Sequence, residues 1–145
     1  MYSFVALSPR PDSMATEEGL LQAWEIFEQI RLDADLVVLS ACESALGKEL
    51  GGEGLISLTR AFQYAGARSV LASLWKISDR TTAELMVRFY RHLKDGKTKD
   101  EALRAAQIEL IHGPIEITNE KGEIEKVDAS APYYWAAFQL YGDWQ

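Results

Sequence analysis

A single cysteine, Cys42, and two histidines, His92 and His112, are all that this sequence offers of the side chains most used for nucleophilic and metal chemistry. One thiol cannot close a disulfide within the chain, so nothing here demands an oxidising compartment. One cysteine and two distant histidines do not make a zinc-ligand spacing, and no metal or cofactor is expected. Basic residues are in the minority, 15 against 22 acidic ones, for a net charge of -7. A generic nucleic-acid surface needs a surplus of lysine and arginine, so no nucleic-acid partner is expected. No apolar run reaches the roughly 18 residues of a membrane-spanning helix, so no membrane partner is expected. The opening residues Met1, Tyr2, Ser3, Phe4 and Val5 lack the basic start and apolar stretch of a secretory leader. Together these absences point to a cytoplasmic protein. Internal repeats, low-complexity tracts and linker-like stretches are also absent, so residues 1–145 read as one unit.

What is present suits a packed core: 48% of the 145 residues are hydrophobic. Residues 2–8 read as a short strand ending at Pro9. Leu20, Trp24, Phe27 and Ile30 fall at helical spacing and predict a helix over much of 17–31. The run 36–42, LVVLSAC, is continuously apolar and rich in β-branched residues, as in a strand buried on both faces of a parallel sheet. A glycine-rich loop with Gly47, Gly51, Gly52 and Gly54 follows. A helix over 55–65 comes next, with Leu55, Leu58 and Phe62 on one stripe and Gly66 as its terminator. The loop lacks the spacing of a phosphate-binding loop. A second buried strand is expected over 69–75. After it, Asp79 can cap a helix over 80–94 that turns Leu85, Phe89 and Leu93 to the core. Thr98 and Glu101 make a capping box for a helix over 99–111, stopped by Gly113 and Pro114. Residues 115–127 read as a hairpin turning at 119–122, and 133–142 as an aromatic-rich final strand. Strand, helix, strand is a parallel β–α–β pattern, and the two later helices run down and back. The last strand should therefore be antiparallel. Few strands precede it, so the sheet is thin for an α/β domain, and its N-terminal strands are expected to be missing from this stretch or supplied by another copy.

The segment 35–47, DLVVLSACESALG, resembles the nucleophile strand of the CHAT family. The segments 51–75, 79–90, 101–107 and 133–144 continue the resemblance in the same order. The resemblance implies the C-terminal part of a caspase-like and separase-like cysteine peptidase domain. Its fold would be α/β, a doubly wound, mostly parallel sheet with an antiparallel last strand. It implies a Cys–His dyad, endopeptidase activity on protein or peptide substrates, and frequent attachment to tetratricopeptide repeat segments. In the family the histidine precedes the cysteine, usually as His-Gly. This sequence has no histidine before Cys42, so the dyad is incomplete and the chain alone is expected to be inactive.

Position supports the nucleophile independently. Cys42 closes a predicted parallel strand, and catalytic groups of open α/β sheets gather at the carboxyl ends of the strands. A peptidase thiol needs an adjacent base to become a thiolate. A lone cysteine after an apolar strand can equally be a small buried side chain. Asp79 reads as a helix N-cap or, through the family, as part of the substrate pocket that would favour a basic side chain. Glu43 and Ser44 shape that site or simply begin the turn. His92 falls near a helix C-terminus, about 18 Å along its axis from the catalytic edge, and reads as a surface histidine. His112 sits on a helix that returns toward that edge but is laterally offset from Cys42. A strand 36–42 left at an open sheet edge would favour a homodimer. A truncated or degenerate, non-catalytic interaction or assembly module is the alternative to the peptidase reading. A flavodoxin-like ligand binder is a weaker third.

Overall fold

In the computed structural model of the chain, residues 4–6, 20–40, 51–118 and 122–145 are described. They form two units, Met1–Leu74 with Tyr141–Asp143, and Trp75–Leu140 with Trp144–Gln145.

The first unit is built on a parallel strand pair joined by a helix. β1 (Phe4–Ala6) pairs antiparallel with β2 (Leu20–Gln22), and helix α1 (Ala23–Gln29) follows directly. The helix expected over 17–31 is therefore shorter, and its first turn is set by a capping box. The Gln22 N–H donates to Glu25 Oε2 at 2.7 Å. Starting the helix there rotates its buried stripe to Ala23, Ile26 and Ile30, which pack with Leu58, Ala61 and Ala65. Ile26 is fully buried, whereas Trp24 and Phe27 of the expected stripe are 48% and 44% exposed. The Trp24 indole N–H donates to Gln22 Oε1 at 2.9 Å, and Phe27 stacks on Tyr64 with ring centroids 3.7 Å apart.

β3 (Ala34–Leu39) and β4 (Ala67–Ser73) run parallel, with Ala34 opposite Ala67 and Leu39 opposite Ala72. The crossover is α2 (Gly51–Tyr64). Both strands begin before the expected positions. The Arg68 guanidinium meets the Asp35 carboxylate at 3.0 Å, and Ser69 Oγ–H donates to the Asp35 carbonyl. α2 also begins a turn early, so Gly51, Gly52 and Gly54 are helical rather than part of a loop. Each glycine weakens a helix by about 1 kcal/mol. The buried stripe of Leu55, Leu58 and Ala61 offsets that cost. Gly47 lies outside the described residues. Gly66 terminates the helix as expected, with φ +116° and its N–H donating to the Gln63 carbonyl at 3.1 Å. Val70, Leu71 and Ala72 of β4 are fully buried, as their apolar run requires.

β7 (Phe138–Gly142) completes a mixed three-stranded sheet in the order β3-β4-β7. The Asp143 N–H donates to the Arg68 carbonyl at 2.9 Å, so the end of β7 meets the start of β4 and the last strand is antiparallel. The chain is thus α/β with a mixed sheet.

The second unit is a helical hairpin with a β-hairpin. Ser78 occupies the N-cap position of α3 (Asp79–Lys94) without a side-chain cap hydrogen bond, and Asp79 is the first helical residue rather than the N-cap. The capping box of α4 (Lys99–His112) is present at Thr98 and Glu101. Leu85 and Phe89 of α3 and Ala102, Ala106 and Leu110 of α4 are fully buried. β5 (Ile115–Thr118) and β6 (Ile124–Val127) pair antiparallel as expected. Their turn residues 119–121 lie outside the described residues. The expected strand over 133–142 is shortened at its start, because Pro132–Trp135 form a helical turn, α5. Pro132 suits a first helical turn, and the Trp135 carbonyl and indole are taken up by Gln107 Nε2 and the Ser130 carbonyl, each at 3.0 Å. No helix among the described residues is long and apolar enough to cross a membrane.

Candidate functional site

The parallel pair β3 and β4 brings Leu39 and Ala72 side by side at the carboxyl ends of the two strands. In sequence Cys42 follows just beyond, and Cys42, Glu43 and Ser44 all lie outside the described residues. Ser40, expected within the strand, is exposed just past its end. Asp79 is exposed at the first position of α3.

The two histidines differ. His112, at the end of α4, is exposed, and its Nδ1–H donates to the Ile108 carbonyl at 2.9 Å. Its ring is therefore tied to its own helix; whether it approaches Cys42 lies outside the described residues. His92 is not the surface histidine its neighbours Arg88 and Arg91 suggest. Its side chain is only 12% exposed and belongs to a charged cluster between α3 and α4.

Glu109 is the centre of that cluster. Arg91 Nη2 lies 2.6 Å and Arg88 Nε 3.3 Å from its Oε2, and His92 Nε2 lies 2.7 Å from its Oε1. Arg88 also pairs with Glu84 one turn earlier on α3. Lys97 Nζ stands 3.0 Å from His92 Nδ1. The local sequence explains the convergence. Glu84, Arg88 and Arg91 share one stripe of α3. Gly96, with φ +86°, lets the chain reverse so that α4 returns Glu109 against that stripe. Sequence reasoning missed the cluster. The signal was there in the like-spaced charges of α3 and the short turn, which together put residue 92 opposite 109.

Burial pushes the Glu109 carboxyl upward, but hydrogen bonds from Arg91 and His92, with the Arg91 charge, outweigh it and hold the group below the ordinary glutamate value of 4.5. A depressed carboxylate contributes stability that is fully present above the unfolded-state value and is lost as pH falls through the folded-state value. The second unit is expected to lose stability as pH drops below about 4.5, more steeply in the native chain than in Glu109→Gln. Urea unfolding at a series of acidic pH values, read by circular dichroism, checks this. Parallel slopes for the two proteins would contradict it.

Residues 1–143 match the family described as CHAT domain. The chain is 32% identical over 136 residues to Tetratricopeptide repeat protein 28 of Mus musculus, and equally to that of Homo sapiens. Each alignment takes in 90% of this chain but 5% of the relative, so the chain spans about one twentieth of the length of the curated relatives it matches.

Proposed function

Because the chain belongs to the CHAT domain family, we propose that it is the cysteine-bearing, C-terminal part of a caspase-like cysteine endopeptidase domain, with Cys42 as the nucleophile. What supports this reading is that Cys42 falls within the matched residues 1–143 and, in sequence, follows shortly after Leu39, the last residue of β3 in a parallel β–α–β unit. That is the edge where an exposed nucleophile can meet a substrate backbone. Glu43 and Ser44 shape the approach to the thiol, and Asp79 favours a basic side chain before the cut bond. The doubly wound arrangement of the caspase clan and a cytoplasmic location belong to the same proposal.

The chain by itself does not hydrolyse peptides. A thiol attacks as a thiolate, and its leaving amine must be protonated. No histidine precedes Cys42 in this sequence, where the family carries its own, and His92 is engaged by Glu109 and Lys97. The imidazole comes from another segment or another chain. A tetratricopeptide repeat segment, fused or docked, is the partner that the relatives' name favours. A peptide-library cleavage assay tests the reading: the chain alone gives no turnover, and the assembly that supplies the imidazole does. An in-frame His-Gly encoded upstream of Met1 would identify that segment.

One observation favours the second reading, a non-catalytic assembly module. Among the described residues β3 is an edge strand, and Leu36, Val37, Val38 and Leu39 on it are only half-buried. Proteins seldom leave such an edge open. Pairing of β3 edges in a homodimer would cover it. Light scattering at micromolar concentration is expected to give the mass of a dimer; a stable monomer would remove this reading.

A further inference from the structure

The α3–α4 hairpin bounds a cleft of about 470 Å³ lined by His92, Lys97, Arg104, Ala105 and Ile108, with Glu101 and Glu109. At its edge three side chains stand in a row. Glu109 Oε1 is 2.7 Å from His92 Nε2, and His92 Nδ1 is 3.0 Å from Lys97 Nζ. Both contacts are hydrogen bonds when the ring is neutral with its proton on Nε2. A carboxylate only accepts, so Nε2 carries the proton and donates. Nδ1 is then a lone pair that accepts from the Lys97 ammonium. The His92 ring is mostly buried and held in place, whereas Lys97 is exposed. A carboxylate-oriented imidazole beside the amine is placed to take up the proton that the amine must shed before it attacks.

The rest of the cleft suits an anionic acyl donor. Arg104 makes no hydrogen bond or ion pair among the described residues, so its guanidinium can take a phosphate. Glu101 is turned to the Thr98 N–H at 3.4 Å, and Glu109 is saturated by Arg88, Arg91 and His92. Ala105 and Ile108 offer apolar contact to a short acyl chain.

We propose that Lys97 is a self-acylation site that accepts the acyl group of small acyl phosphates. One ammonium proton passes from Lys97 Nζ to His92 Nδ1. The freed amine attacks the acyl carbon, forming the N–C bond. The C–O bond to phosphate breaks as the tetrahedral intermediate collapses, and the phosphate leaves with the second amine proton as hydrogen phosphate. His92 then returns its proton to solvent. Lys97 becomes a neutral amide and loses its hold on His92. This site is independent of Cys42 and of the peptidase reading.

The test is incubation of the whole chain with acetyl phosphate, followed by peptide mass spectrometry of initial acetylation at each lysine. Lys97 is expected to lead Lys76 and Lys94, both exposed, by about tenfold or more, within what a positioned base contributes. His92→Gln, with an unchanged circular dichroism spectrum, should bring Lys97 down to their rate. Arg104→Ala should reduce the lead with acetyl phosphate but not with an uncharged acetyl thioester. Equal rates at Lys97, Lys76 and Lys94 in the native chain overturn the proposal, as does a lead that survives in His92→Gln. The native-chain comparison decides the matter even if the histidine variant does not fold.

Discussion

Cys42→Ala is expected to reduce peptide cleavage by at least about a thousandfold in any assembly that supplies the missing imidazole. The reasoning is chemical. Covalent catalysis splits a difficult amide hydrolysis into two easier steps, and alanine cannot form the acyl-enzyme. This chain has one cysteine, so no second thiol can substitute. Cys42→Ser is expected to fall nearly as far, because an imidazole that suits a thiol leaves a hydroxyl mostly protonated. The same assay reads Asp79→Ala. If Asp79 faces the substrate residue before the cut, cleavage after arginine and lysine falls while the thiol stays reactive. An unchanged preference would return Asp79 to an exposed helix-start residue. Cleavage that persists in Cys42→Ala would mean that the activity belongs to another protein in the assembly.

Gly66→Ala is expected to be the most damaging single-methyl change, at about 3–5 kcal/mol. Two costs add there. With φ +116° the backbone occupies a region that side chains with a β-carbon rarely adopt. A β-carbon would also stand 2.1 Å from the Leu32 carbonyl oxygen, a backbone atom that cannot step aside. That carbonyl is held in place because the Leu32 N–H donates to the Ala65 carbonyl at 2.7 Å. The close approach ties the end of α2 to the chain entering β3, and so sets the register of the parallel pair. Gly96→Ala separates the two costs. It shares a positive φ of +86° but has nothing within 4 Å of the added carbon. It should cost only the backbone strain, about 1–2 kcal/mol. Equal losses for the two variants in urea unfolding would show that the contact with Leu32 contributes nothing.

Much of this fold could be read from local signals. The β–α–β unit followed from two apolar runs around an amphipathic helix, and Leu55 and Leu58 are buried as their spacing requires. The capping box of Thr98 and Glu101 and the hairpin strands on either side of 119–122 are equally local features. The misreadings have physical causes. Trp24 and Phe27 look like core residues because they are large and apolar, yet a helix starting at Ala23 turns Ile26 inward instead. The glycines at 51, 52 and 54 look like a loop, but the buried stripe behind them carries the helix through. Pro132 begins a helical turn inside a β-rich aromatic run because prolines fit first turns. The Glu109 cluster was hidden for another reason: it depends on which faces of two helices meet, and periodicity of either helix alone does not say. Cys42 was singled out through family resemblance and predicted strand position, and it lies outside the described residues.

The most direct test of the account is the rate of Cys42 alkylation by iodoacetamide across pH, with the isolated chain. The account holds that the thiol occupies a nucleophile position whose base lies outside this chain. It therefore predicts a rate that rises with an ordinary thiol value, about 8.5, and is unaffected by His112→Gln. A thiolate that persists well below that value would contradict it, and would mean that a base within this chain already stands beside Cys42.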